Sequence, residues 1–264
     1  MRLLQSHAAK LVFALSLACL FAPASARAQN AYITNRGDNT VSVIDTTSNM
    51  VAATIAVGSL PQGVAVTPDG STVYVANDGD NTVSVIDTAS NTVTATIPVG
   101  FNPRGLAVTP DGSTVYVPNS SIMDNTVSVI PTSVNMVTGA IPVGTAPVSV
   151  AVTPDGSTVY VANGGDNTVS VIDTASNTVT GVITVGTIPQ GVAVTPDGSL
   201  VYVANSIDNT VSVIPTSVNM VTGAILGFSQ PIAFGVFIGP PPVPATPPSG
   251  TACNGCSTAP SRAR

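Results

Sequence analysis

The sequence predicts an all-β chain made of five copies of one antiparallel four-stranded unit, set side by side as the blades of a β-propeller. Three observations predict it. The segment DNTVSVIDTASNTVT occurs letter for letter at Asp80–Thr94 and Asp166–Thr180, and in altered form from Asp38, Asp124 and Asp208. Tyr32, Tyr74, Tyr116, Tyr160 and Tyr202 beat at spacings of 42, 42, 44 and 42 residues, a period that belongs to blade-like repeats. Val, Thr, Ser, Asn and Gly dominate while charged residues make up 8% of the chain, a mix that suits strands and tight turns and is poor in helix formers.

Residues 63–105 show how one unit is built. GVAV (Gly63–Val66) is a short apolar run closed by Thr67-Pro68-Asp69-Gly70, where Pro presets φ and Gly supplies a positive one for a tight reversal. TVYVAN (Thr72–Asn77) alternates, with Val73 and Val75 on one face and Tyr74 and Ala76 on the other. After a polar loop come TVSVID (Thr82–Asp87), a TASN turn and TVTATIPV (Thr92–Val99), the last apolar on one side and threonine on the other. Short strands with turn signals every 8 to 12 residues read as one blade. The first strand is apolar on both faces, as an inner strand wedged between neighbours should be, and the last is half in water. A single blade cannot bury both faces, so each is stable only between others. A second level of copying is visible: residues 124–141 and 208–225 are identical. Near-identical blades mark no single site, so a unique site must lie where the symmetry breaks.

The first repeat begins at its second strand (Ala31–Asn35), and FGVFIGP (Phe234–Pro240) resembles a lone inner strand. Joining the two predicts a ring of five four-stranded blades, closed when the C-terminal strand completes the first blade and hides both free edges. Aligning on Pro231 instead of Gly235 shifts that strand by two residues, which keeps the same face inward.

Tyr32-Ile33-Thr34-Asn35, the YVAN motifs at Tyr74, Tyr160 and Tyr202, and YVPN at Tyr116, each followed by DNTVSVI, resemble the YVTN-type β-propeller repeat, over Ala31 to about Ile225. The resemblance implies exported or surface-layer propellers, often of about seven blades, with unassigned ligands.

Outside the repeats, Arg2 and Lys10, an apolar run at Leu11–Ala22 and Ala26-Arg27-Ala28 form the pattern of a secretory signal peptide over residues 1–28. The run is too short to span a bilayer, and Cys19 is a poor lipoprotein site because apolar residues continue past it. The protein is therefore expected to be exported (periplasmic, secreted or at the cell surface), with the propeller over residues 29–239. Residues 240–264 read as a proline-rich, disordered tail. Its Cys253-Asn254-Gly255-Cys256 lacks the His that haem attachment would need at Ser257 and lacks two further zinc ligands, so a local Cys253–Cys256 disulfide is expected.

Charge narrows the function. From Gln29 onward, four arginines against thirteen aspartates and no glutamate or lysine leave a formal charge of −9, which disfavours nucleic acid and anionic lipid as partners. The one histidine, His7, lies in the leader. The commonest general base and metal ligand is thus missing, and no cofactor or metal is expected.

The loops before the first strand and between the second and third strands share one face of a propeller. That face would collect Arg36, Arg104, Asp38, Asp80, Asp124, Asp166, Asp208 and the inserted Ser120–Met123, the candidate ligand contacts. Dispersed one per blade, the aspartates are expected to cap their own turns rather than converge on calcium. Arg36-Gly37-Asp38 reads as the same turn with an arginine in it, not as an adhesion motif. Arg104 is either an anion ligand or, the favoured reading, solvated. The tyrosines are expected to pack between blades with bonded hydroxyls.

The function expected is a non-enzymatic binding or interaction scaffold, holding an unidentified protein or small ligand on the loop face. One alternative is a metal-assisted, lactonase-like hydrolase, which would bring two or more Asp or Asn side chains within about 5 Å at the channel mouth. The other is a surface-coat or adhesin-like component that self-associates through the threonine-rich outer strands.

Overall fold

In the computed structural model, which describes residues 30–232, nineteen strands form five antiparallel sheets in chain order. Sheet 1 has three strands, β1 (Asn30–Asn35), β2 (Thr40–Asp45) and β3 (Met50–Ala56). Sheet 2 has β4 (Pro61–Val66), β5 (Thr72–Asn77), β6 (Thr82–Asp87) and β7 (Thr92–Pro98), and sheet 3 has β8 (Ala107–Val108), β9 (Thr114–Asn119), β10 (Thr126–Pro131) and β11 (Gly139–Pro142). Sheet 4 has β12 (Pro147–Val152), β13 (Thr158–Asn163), β14 (Thr168–Asp173) and β15 (Thr178–Thr184), and sheet 5 has β16 (Pro189–Val194), β17 (Leu200–Asn205), β18 (Thr210–Pro215) and β19 (Gly223–Ile225). Each strand pairs with the next in sequence, as short turns dictate. Sheet 1 lacks an inner strand among the described residues, as expected from where the repeat begins. The leader, the Phe234–Pro240 strand, the tail and all three cysteines lie outside the described residues.

Core packing repeats from junction to junction. Tyr74, Ala76, Val85 and Ile97 of sheet 2 meet Leu106, Val115, Val117 and Ile130 of sheet 3, and the other face of β5, Val73 and Val75, meets Tyr32, Val41, Val43 and Ile55 of sheet 1. The two faces predicted for Thr72–Asn77 therefore enter two different cores. Each fully buried Val or Ile contributes about 1.5–3 kcal/mol, so a blade is held mainly by its neighbours. Outer strands β3, β7, β11 and β15 each keep one residue buried, such as Ile97 and Ile183, while the threonines of β7 and β15 face water. The tyrosine hydroxyls end in bonds across the same junctions: Tyr74, Tyr116 and Tyr160 donate to Oδ1 of Asn135, Asn177 and Asn219 at 2.8, 2.8 and 2.7 Å.

Inner strands begin earlier than the GVAV runs, at Pro61, Pro147 and Pro189, and carry a bulge just after the proline. There the backbone reaches the neighbouring sheet. Gly63 N–H donates to the Arg104 carbonyl at 2.8 Å and Gly105 N–H to the Val148 carbonyl at 3.1 Å, which draws the inner strands of sheets 2, 3 and 4 together at their loop end.

Candidate functional site

On the loop face the aspartates reach beyond their own turns, and Asp124 also accepts from the Thr126 hydroxyl within its turn at 2.7 Å. Asp80, Asp124, Asp166 and Asp208 accept from the backbone N–H of Ser59, Phe101, Thr145 and Thr187 at 2.6, 2.8, 2.5 and 2.7 Å, each 21 or 23 residues earlier, in the loop that enters their sheet. The asparagine in the next position serves a second loop. Asn39, Asn81, Asn125 and Asn167 take left-handed backbone with φ between 49° and 58°, a conformation Asn tolerates well. Each offers Oδ1 to the next N–H of the loop leaving its sheet, at 2.8–3.0 Å. Every inter-sheet loop is thus stapled at both ends, by the Asn behind it and the Asp ahead. Carboxylates committed to backbone donors are poorly placed to gather on a cation. Asp38, in the first sheet, has the same position with no entering loop among the described residues.

Symmetry breaks around Asp78, where the other blades have Arg36, Ser120, Gly164 and Ser206. Asp78 is buried, and side chains from β4 and two loops converge on it: Gln62 Nε2 donates to Oδ2 at 2.8 Å, Asn102 Nδ2 to Oδ1 at 3.0 Å, and Arg36 Nη2 lies 3.5 Å from Oδ2. Arg36 is largely exposed, so the ion pair itself is worth at most about 1 kcal/mol. Arg104 is half-buried, and its Nε is shielded from water with no hydrogen-bond acceptor in the protein.

Beside this polar group stands an apolar one. Phe101, Ile122 and Met123 are 58%, 73% and 89% exposed, yet the backbone beneath them is held: Ser121 N–H reaches the Phe101 carbonyl at 3.3 Å, Met123 N–H the Ser121 hydroxyl at 3.2 Å, and Asn125 Nδ2 the Ile122 carbonyl at 3.1 Å. The insertion is a fixed projection. Of the predicted contacts, the structure gathers Arg36 with Asp78, and Met123 with Phe101 and Ile122. It leaves Asp80, Asp124, Asp166 and Asp208 in separate staples.

The opposite face holds features that the sequence analysis passed over as turns. Asp69, Asp111, Asp155 and Asp197 accept from the Thr hydroxyl two residues before and from the N–H and hydroxyl of the Ser two residues after. The Thr hydroxyl first, then the Ser N–H, holds their carboxyls below the usual range, to about 2 for Asp69 and Asp197. Three clefts of about 400, 530 and 290 Å³ lie between neighbouring blades there, each floored by a Tyr–Asn pair. The repeated Thr-Pro-Asp-Gly-Ser was the available signal. Along the axis runs a cavity of about 410 Å³ lined mainly by Val, Ala, Leu and Pro, with Tyr32 and Asn30. No carboxylate lines it, and among the described residues no three metal-ligating side chains come together.

Residues 7–113 match the YNCE-like β-propeller family, and residues 123–236 match the lactonase family of seven-bladed β-propellers. Among solved structures, Kuenenia stuttgartiensis hydrazine synthase superposes with a TM-score of 0.67 and 30% identity, over 71% of this chain and 60% of that one. A functionally unknown protein from Desulfotomaculum acetoxidans DSM 771 gives 0.61 and 19% over 81% and 86%, and the dihydro-heme d1 dehydrogenase NirN, solved with DHE, gives 0.63 and 20% over 75% and 44%. At such identities the last two speak for the fold alone. A 39-residue stretch is 57% identical to the PE-PGRS family protein PE_PGRS18 of Mycobacterium tuberculosis, covering 15% of this chain and 8% of that protein. The chain spans less than two thirds of the hydrazine synthase chain and a small part of the curated relative. With the sheet topology, these matches make the fold a β-propeller. They do not single out the YVTN-type family.

Proposed function

We propose that the protein is an exported, five-bladed β-propeller that works as a non-enzymatic binding scaffold, engaging a protein partner through its loop face. The observation that carries this reading is the Phe101–Ile122–Met123 projection beside the Asp78 cluster. Large apolar side chains are held out in water on hydrogen-bonded backbone, off the repeat symmetry, next to a polar rim. Exposed aromatic anchors and adaptable Met side chains flanked by satisfied polar groups are what protein-recognition sites are made of. The strong negative charge keeps nucleic acid out of consideration. The test is a photo-crosslinking residue placed at position 123 in the producing cell. A discrete protein adduct that disappears with Phe101→Ser and Ile122→Ser is expected. The same adducts from position 175 on the outer rim would refute the assignment.

One observation favours a second reading, a lactonase-like hydrolase. Residues 123–236 match that family, and Asp78 and Asn102, which precede that stretch, come within 3.0 Å of each other. Against it, Arg36 already supplies the positive charge beside Asp78, and the amide of Asn102 is turned as a donor. Calcium-dependent lactone hydrolysis by the purified protein, lost in Asp78→Asn, would establish this second reading and remove the first. Self-association through the outer strands has only scattered exposed apolar residues behind it, such as Met50, Val51 and Val182.

A further inference from the structure

Among the described residues two arginines stand against thirteen aspartates, yet only one of the two is paired. Arg36 lies beside Asp78. Arg104 is in no ion pair among the described residues, and its Nε, shut off from water, has no acceptor. A guanidinium is a planar fork of N–H donors that keeps its charge at any pH the fold meets. A shielded donor left unbonded costs about 1–3 kcal/mol, and more in a charged group.

Comparison between blades shows what is missing. Arg104 stands where sheet 2 has Gln62, each directly after the proline of its inner-strand segment, Pro103 and Pro61. Gln62 Nε2 donates to Asp78 of its own sheet at 2.8 Å. Sheet 3 has Ser120 in the place of Asp78. It thus strengthens the donor, from amide to guanidinium, and removes the carboxylate that would answer it. The change is confined to one blade. Sheet 4 has Val148 and Gly164 at these two positions and sheet 5 has Gln190 and Ser206, all uncharged, so blade packing does not require a cation there.

The backbone under this arginine is seated. Arg104 N–H donates to the Pro118 carbonyl at 3.3 Å, and its own carbonyl accepts from Gly63 N–H at 2.8 Å. Three residues earlier in the same segment is the exposed Phe101. The carboxylates bound to this segment are already engaged: Asp124 accepts from Phe101 N–H at 2.8 Å, and Asp78 accepts from Asn102 and Gln62. Asp38, Asp78, Asp80, Asp124, Asp166 and Asp208 share the loop face with the two arginines. That field repels a doubly charged phosphate more than a singly charged anion. A carboxylate carries one charge and fits the guanidinium fork.

We propose that Arg104 binds a carboxylate of the protein partner, presented beside an apolar side chain that meets Phe101. This rests on the loop-face docking reading above and deepens it by naming the group recognised.

The test reads Arg104 directly. In the isotope-labelled full chain its Nε–H resonance is identified by its loss in Arg104→Gln, a change toward the side chain that sheets 2 and 5 already carry. N-acetylleucine supplies a chain-end carboxylate beside an apolar group, and its amide is the uncharged control. The resonance is expected to move saturably with the acid and to stay in place with the amide. No movement with the acid, equal movement with the amide, or movement at least as large with inorganic phosphate at the same concentration would overturn the proposal. An acetylated aspartyl-leucine amide distinguishes the two sources of the carboxylate: saturation at lower concentration than N-acetylleucine assigns it to an acidic side chain, and the reverse to a chain end. The photo-crosslink from position 123 separates the two levels. In Arg104→Gln its yield should fall to about a tenth or less, and Arg104→Lys, a charge without the fork, should restore part of it. An undiminished adduct in Arg104→Gln sinks the carboxylate but leaves the docking face standing. Absence of any adduct from the parent chain sinks the docking face, and the Nε–H titration still decides what Arg104 binds.

Discussion

Replacing Gly144 with Ala puts one methyl group where the fold has no room for it. Gly144 lies in the loop entering sheet 4, and a Cβ there would sit 2.6 Å from Asn163 Nδ2 and 2.7 Å from its Cγ. Comfortable contact needs about 3.5–4.0 Å, so the amide or the loop must move by roughly 1 Å. Asn163 is fully buried and donates to Thr168 Oγ1 at 3.0 Å and Ser170 Oγ at 2.9 Å. If it moves, two bonds worth about 1 kcal/mol each weaken. If the loop moves instead, the staples from Thr145 to Asp166 and from Ala146 to Asn125 weaken. Overpacking adds about 1–3 kcal/mol. The whole comes to about 2–4 kcal/mol, or about 5–15 °C in melting temperature for a domain of this size. Gly139, with nothing within 4 Å of its Cβ position, is the control, and Gly139→Ala should change stability by no more than about 0.5 kcal/mol. Thermal melts by circular dichroism decide it. If Gly144→Ala melts within about 1 °C of the parent, the account of how loops are seated on blades is wrong.

Two more predictions concern pH and calcium. The depressed carboxyls of Asp69, Asp111, Asp155 and Asp197 stabilise the fold above the unfolded value of 3.8, and that contribution is lost as pH falls through the folded value, about 2 for Asp69 and Asp197. Burial raises Tyr74, Tyr116 and Tyr160 above 10.0, so their contribution is present below that value and lost above it. With the sole histidine in the leader, melts should coincide at about pH 5 and pH 8 and fall below about pH 4, with a smaller acid loss in Asp69→Asn; a clear slope between pH 5 and 8 would contradict this. Because the loop-face aspartates are bound to backbone N–H groups, millimolar calcium or a chelator should leave the melting temperature unchanged, and a rise of several degrees with calcium would show a site made from them.

The blades were legible because strand alternation and the tyrosine beat are local. Each residue's face follows from its own position, and Val73 and Tyr74 entered opposite cores as the pattern demanded. The staples were not legible. Asp80 and Asn81 bond to backbone N–H groups of Ser59 and Asn102, and a backbone donor leaves no mark in the sequence, so the loops Ser59-Leu60, Phe101-Asn102, Thr145-Ala146 and Thr187-Ile188 share a role without sharing letters. For the same reason the Tyr–Asn bonds, 59 or 61 residues apart, could be foreseen as bonds but not assigned to partners.

The candidate site was half legible, and the illegible half has a physical cause. Met123 and Arg36 stand out as departures from the repeat, but Gln62 and Asn102 look like ordinary loop residues until the curvature of the array brings blades 1, 2 and 3 onto Asp78. In an array of near-copies most polar side chains are occupied in repeating contacts, as the staples and the Thr–Asp–Ser turns show. A buried carboxylate that appears in one blade only, with three partners turned toward it, does no work that the other blades require. The exposed projection beside it is equally unnecessary to packing, since removing Ile122 and Met123 from water would need a surface that this chain does not supply among its described residues. Those two departures adjoin on one face through Phe101 and Asn102, consecutive residues of the same loop, and that adjacency is the reason to place the partner there.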